Sequence, residues 1–455
     1  MVSCSQVAKV CWARISGHIE RGVELMSTLL GTLGMALPRT PRRALASLVL
    51  RRALVRARGL GFRERQEGEV AAAELTGVDL CWSIAGGLAM VDTIRGADFQ
   101  TRHLLLALRA GEPTRVARAL AMEGGFHAVG GPRSRRRAAR LFAAARTLLA
   151  RTPSPRVESL ITGSECIVAF QAAEWRRALE LARRAEPLIR AQQTFATWEH
   201  DTIHFFWLYS LFYLGELREL AVLAPALLRL ATSRGDLYGA TNLRVGLPNA
   251  AWLIGGDTAG ARHHLDEAER QWTPKWFHLQ HYHHMLGDAN LHLYGGDAEA
   301  GWRALVARWP AMKAAQILRI SLIHDEALHL RARLAIAAAR AGGPERDARW
   351  REAARDAARV ARAHEPPIAA LGELALAAVD HHRGDDARAA TRLRAAAAAF
   401  AQADMATYAA AARAALGRVL GGDEGAGLIA AAEAALRSQT VAEPERWIAM
   451  LAPGF

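Results

Sequence analysis

A glycine followed by an acidic residue recurs along this chain at nearly constant spacing. The turns read Arg109-Ala-Gly111-Glu112, Tyr213-Leu-Gly215-Glu216, Ile254-Gly-Gly256-Asp257, Tyr294-Gly-Gly296-Asp297, His382-Arg-Gly384-Asp385 and Leu420-Gly-Gly422-Asp423. Counting Gly343 of Ala341-Gly-Gly, successive glycines from Gly215 onward stand 41, 40, 47, 41 and 38 residues apart. Each turn closes an apolar or aromatic helix and opens a second one with Ala and Leu on one face. Glycine supplies the left-handed conformation that ends the first helix, and the acid meets the unpaired N–H groups and positive dipole end of the next. The glycine is missing once, at Gln171-Ala-Ala-Glu174-Trp175, where the downstream pattern still holds. A further turn is read at Ser16-Gly17-His-Ile-Glu20, with a leading helix that would have to lie before Met1.

A hairpin of this kind cannot bury its apolar face alone, so neighbours must stack to make a core. The sequence therefore predicts an all-α fold, a TPR-like α-solenoid of stacked helical hairpins with a period near 40, longer than the 34 of a strict tetratricopeptide repeat. An elongated, curved array is the shape expected. Residues 1–131 are read as an N-terminal helical segment with a truncated leading repeat, and 132–455 as the TPR-like array, jointed at Gly124-Gly125 and Gly130-Gly131-Pro132.

Composition supports a large core, since 51% of the residues are hydrophobic, and runs of alternating Val, Ile or Thr that would mark strands are nearly absent. The longest near-uncharged apolar stretches, 80–91 and 203–214, are about 12 residues each, against the roughly 20 that a spanning helix needs. No secretory apolar region follows Met1, so a cytoplasmic location is expected. Cys4, Cys11, Cys81 and Cys166 lie too far apart for a disulfide ladder or a zinc ribbon. A net charge of +13 raises nucleic acid as a partner. However, Lys9, Lys275 and Lys313 are the only lysines, and joint Arg and Ala enrichment points to a GC-rich coding background. The densest basic run, Arg133 to Arg140, lacks the interleaved aromatics that stack bases.

The search for chemistry is largely negative. No lysine sits in a Gly-Lys-Ser/Thr phosphate loop, Asp98-Phe99-Gln100 lacks the glycine of a kinase metal-binding motif, and His382-Arg383-Gly384-Asp385 is a repeat turn. His284, Asp288 and His292 share a helix face with metal-ligand spacing, but Gly287 and the neighbouring Trp276, Phe277 and Tyr282 favour packing. His200 and His204, one turn apart, read the same way. No catalytic residue, cofactor site or metal site is expected. The aromatic clusters are chiefly core; where they reach a concave surface, Trp198, Trp207, Tyr213, Trp276 and Tyr282 are the candidate partner-binding anchors.

Three stretches are more specific than their periodicity: Leu60-Gly-Phe-Arg-Glu-Arg65, Val78-Asp-Leu-Cys-Trp82-Ser, and Val91-Asp-Thr-Ile-Arg-Gly-Ala-Asp-Phe-Gln100 running on to Glu112. Together with the ending Glu443-Pro-Glu-Arg-Trp-Ile-Ala-Met450-Leu-Ala-Pro-Gly-Phe455, they resemble the C-terminal TPR-like region of large bacterial serine/threonine protein kinases of the myxobacterial type. In that family a kinase domain and an AAA-type signalling ATPase precede the helical region. The resemblance implies a non-catalytic protein-interaction or sensing module of a kinase signalling system, with protein partners such as the kinase or the ATPase. The alternatives are a C-terminal fragment of such a kinase, whose catalytic and ATPase domains lie upstream, and a nucleic-acid-binding helical protein using its Arg-rich surface. On this reading the purified chain transfers no radiolabel from ATP to a generic acceptor; transfer that survives removal of contaminating kinases overturns it.

Overall fold

A computed structural model describes residues 19–32, 34–89, 92–128, 130–192, 197–273 and 275–455. The turn read at 16–20 falls largely outside the described residues, as do Cys4, Lys9 and Cys11. The N-terminal hairpins comprise α1 (Ile19–Thr32), α2 (Pro41–Arg58), α3 (Ala72–Leu88), α4 (Thr93–Ala110), α5 (Pro113–Ala128) and α6 (Pro132–Arg151). They are followed by α7 (Pro155–Gln171), α8 (Trp175–Arg190), α9 (Thr197–Leu214), α10 (Leu217–Ser233), α11 (Leu237–Arg244), α12 (Ala250–Ile254) and α13 (Thr258–Gln271). The chain continues with α14 (Leu279–Gly295), α15 (Ala298–Ala314), α16 (Ser321–Arg340), α17 (Arg346–Val360), α18 (Pro366–His382), α19 (Asp386–Gln402), α20 (Ala406–Leu420), α21 (Gly422–Ser438) and α22 (Pro444–Leu451). No strand occurs among the described residues. Consecutive helices pack as antiparallel pairs, and the fold is an all-α solenoid of stacked hairpins.

The turn chemistry is the one the sequence encodes. Gly296 closes α14 at φ +80°, and the Asp297 side chain accepts a hydrogen bond from the Ala300 N–H at the start of α15. Glu112, Asp257 and Asp385 cap α5, α13 and α19 in the same manner. Where the glycine is missing, Ala173 takes its place at φ +57°, so the turn is kept and the residue bears the strain. Gly235-Asp236 is a further turn of this type, with Asp236 bonded to the Gly239 N–H. The repeat between Gly215 and Gly256 is irregular: α11 stops at Gly246, whose N–H bonds the His283 carbonyl at 2.8 Å. A Cβ at Gly246 would come within 2.1 Å of the Tyr209 hydroxyl, so only glycine fits there.

The array curls back on itself. Its late repeats return onto its middle ones. Arg176 binds both Glu216 and Asp404, the Arg218 guanidinium donates to the Ser438 carbonyl, and the Ala442 N–H donates to the Ile254 carbonyl at 2.8 Å. Tyr213 and Phe212 of α9 meet Tyr408 of α20, and Phe212 also meets Trp447 of α22. On the opposite side Arg135 of α6 pairs with Glu365 before α18 at 2.7 Å. Periodicity specifies that hairpins stack but not how steeply they curl; here the aromatic residues at the turns bury their rings across the superhelix. One continuous apolar core runs from Cys166 to Ala452, with smaller clusters under the hairpins up to Ile161.

Because the array closes, solution scattering should give a radius of gyration near the compact limit of about 22 Å for a chain of this length; a clearly larger value means an open array. Ala173→Gly should stabilise the fold by about 0.5–1 kcal/mol by relieving a left-handed alanine. Gly296→Val meets no atom within 4 Å, so its cost of about 1–3 kcal/mol would come from the backbone alone. Hydrogen exchange over 280–310 should report that loss, and unchanged protection there refutes the turn assignment.

Candidate functional site

Curling forms a mostly apolar cavity of about 130 Å³ where helices between α4 and α16 converge. Its walls are Met122 and Phe126 of α5, Leu160, Ile167 and Phe170 of α7, and Trp198, Ile203 and Phe206 of α9. Leu279 and His283 of α14 and Leu322, Ile323 and Glu326 of α16 complete it. The volume is close to that of apolar cavities that admit a benzene-sized ligand.

Two acids, Glu199 and Glu326, line this mostly apolar cavity. Glu326 accepts hydrogen bonds from the hydroxyls of Tyr213 and Tyr282, each at 2.5 Å, and presents the rest of its surface to the cavity. Burial pushes its carboxyl above the usual range, opposed by the two tyrosines and by the positive charge of Arg333. Arg333 is itself buried, donating to the Met450 carbonyl at 2.9 Å and to the Asn290 side chain at 3.0 Å. His283 stands between Phe205 and Tyr209, with ring centroids at 5.0 and 5.7 Å. Burial drops its pKa to about 3, so it is a neutral imidazole, and its Nδ1 has no hydrogen-bond partner among the described residues. A carboxyl group held by two phenols stands in the wall of a mostly apolar chamber, which also carries the hydroxyl residues Ser159, Ser164 and Thr202. It is suited to hold a small, mostly apolar molecule by a donor group such as an amine.

The five aromatic candidates separate. Trp198 lines the cavity, and Tyr213 and Tyr282 hold the carboxyl group that faces it. Trp207 lies elsewhere: its indole N–H donates to Glu219 at 3.1 Å, and Arg183 sits over its ring. Trp276 is 54% exposed at the rim of a separate groove between α2 and the end of α15, with the Lys275 ammonium 5.2 Å from its ring. Glu326 is the residue sequence reasoning missed. Glu326 follows Asp325 in an ordinary helix start, and nothing local marks it as the acid that turns inward.

The histidine face at 284–292 is occupied by arginines. Arg308 donates to His284 Nδ1 at 2.9 Å, while Arg262 binds Asp288 at 2.6 Å and lies 3.3 Å from His292 Nε2. No helix among the described residues is long and apolar enough to cross a membrane. Comparison with protein-family models gives no match for the chain, and comparison with curated proteins gives none either.

The Glu326 geometry has consequences for stability. The native state holds this proton above the ordinary carboxyl value of 4.5, so it binds more protons than the unfolded chain in the window just above that value. Stability contributed here therefore falls as pH rises through the window. Glu326→Gln should flatten that part of the stability profile, read by denaturant unfolding between pH 4 and about 7. Glu326→Ala should cost about 2–4 kcal/mol by leaving two buried phenols unpaired, whereas Tyr213→Phe should cost about 1 kcal/mol.

Proposed function

We propose that this chain is a non-catalytic sensing module, which binds a small amphipathic molecule inside its closed helical array and signals through protein contacts on its outer surface. The observation that carries the reading is the Glu326 carboxyl group, held by Tyr213 and Tyr282 in the wall of a mostly apolar cavity. A purely structural core would fill that space with side chains, because an empty apolar cavity costs stability in proportion to its volume. The walls are drawn from residues 89 to 326, so a bound molecule bears on the stacking of several repeats at once. That gives it leverage over the curvature of the array, and the outer faces of the hairpins are the surfaces a protein partner would read. The likeness of 60–112 and 443–455 to the helical region of bacterial serine/threonine kinases supports a kinase-linked setting for that partner.

The test is titration with the fluorescent apolar amine N-phenyl-1-naphthylamine. Saturable binding is expected, with competition by simple hydrophobic amines. Ile167→Trp, which fills the chamber, should abolish binding while leaving helical content intact. Glu326→Gln should weaken binding of competing alkylamines by about tenfold, equivalent to about 1.4 kcal/mol. Non-saturable binding, or binding unchanged in both variants, rejects the proposal.

A further inference from the structure

We infer that Glu186, His200 and His204 form a binding site for a divalent transition metal, with zinc the best match. His200 and His204 lie one helical turn apart on α9, and their rings meet edge to face with centroids 5.4 Å apart. Glu186 comes from the neighbouring helix α8, and the three prospective donor atoms all lie within 4.8 Å of one another. Donors around a tetrahedral zinc ion, at bond lengths of about 2.0–2.1 Å, stand roughly 3.3 Å apart. Small side-chain rotations would close the difference. Two imidazoles and one carboxylate, with a fourth position for water, are a donor set for zinc, cobalt or nickel rather than for calcium or magnesium, which take oxygen ligands.

The surroundings bear on the reading in both directions. Burial holds both imidazoles in the neutral, ligating form, with His204 pushed down to about 4. The positive charges of Arg190 and Arg234 also face the histidines, and they oppose a cation. Arg190 already binds Glu186, but both its bonds go to Oε1, leaving Oε2 uncommitted to the arginine. Its side chain is 74% exposed, so it can withdraw into water at little cost. The contrast with the 284–292 face is direct: there arginines are bonded to the imidazoles themselves, whereas the ring contacts of His200 and His204 are with each other and with Trp207. A metal ion here would staple α8 to α9 behind the cavity wall formed by Ile189 and Thr202.

Tag-free protein stripped with a chelator should bind one equivalent of cobalt(II), with the visible absorption of tetrahedral coordination, and zinc should displace it and raise the melting temperature. His204→Ala and Glu186→Gln should each lose at least tenfold in affinity, and Arg190→Ala should gain. His284→Ala should bind as the parent does. Circular dichroism of each variant separates lost ligation from lost fold, and His204→Gln serves if His204→Ala does not fold. Absence of both the cobalt band and the zinc-dependent stabilisation in the parent chain overturns the site. So does full retention of binding in His200→Ala/His204→Ala.

Discussion

Closure of the array rests on one short helix. Trp447 of α22 is fully buried where α22 meets α14, α20 and α21, with Phe212 of α9 against its ring. Burying an aromatic side chain of this size contributes on the order of 2–3 kcal/mol. Ile448, Met450 and Leu451 are buried beside it. The carbonyl of Met450 also satisfies the guanidinium of Arg333, whose other arm holds Asn290, so this helix is tied to the polar cluster behind the cavity as well as to the apolar core. Take the helix away and a buried arginine loses one of its two acceptors, the Glu326 carboxyl group keeps a less well-placed countercharge, and the middle and late repeats lose their common seat.

The arginine excess is absorbed by the same architecture. Asp79 is shared by Arg115 and Arg118, Arg331 makes two hydrogen bonds to the buried Asp356, and Arg392 bridges Asp380 and Glu373. Arg349 reaches Glu299 across a repeat boundary. Each of these pairs joins different helices. The guanidinium group suits the task because its planar fork makes two directed bonds at once and stays charged when partly desolvated. A strongly basic composition is here expressed, in good part, as pins between helices.

What the sequence makes legible is local. Gly296 and Asp297 declare a helix end and a helix start in adjacent residues, and the turn forms as the chemistry requires; even Ala173, with the wrong residue for the conformation, follows because its neighbours impose it. Curvature is not local. Phe212, Tyr213, Tyr408 and Trp447 have the spacing of ordinary core residues, and nothing within 20 residues of any of them shows that they meet one another. The same limit governs the sites. Trp198, Tyr213 and Tyr282 are conspicuous as aromatics, but their common focus on Glu326 depends on how three separate hairpins curl. Glu186 is one of two acids in the amphipathic run Trp175–Arg190, and only the pairing of that helix with the next sets it opposite two histidines.

That non-local closure also sets an order of events during synthesis. Stacked hairpins with nearest-neighbour contacts can form one after another as the chain leaves the ribosome, at about 5–20 residues per second. Tyr213, however, waits for Tyr408, and Phe212 waits for Trp447, more than 230 residues later. Until then the aromatic faces of the middle repeats stand open to water and to other nascent chains. The chamber, whose walls end at Glu326, can form before the late repeats return, and the interval between the two is when the polypeptide is most exposed to chaperones and to its own unfinished copies.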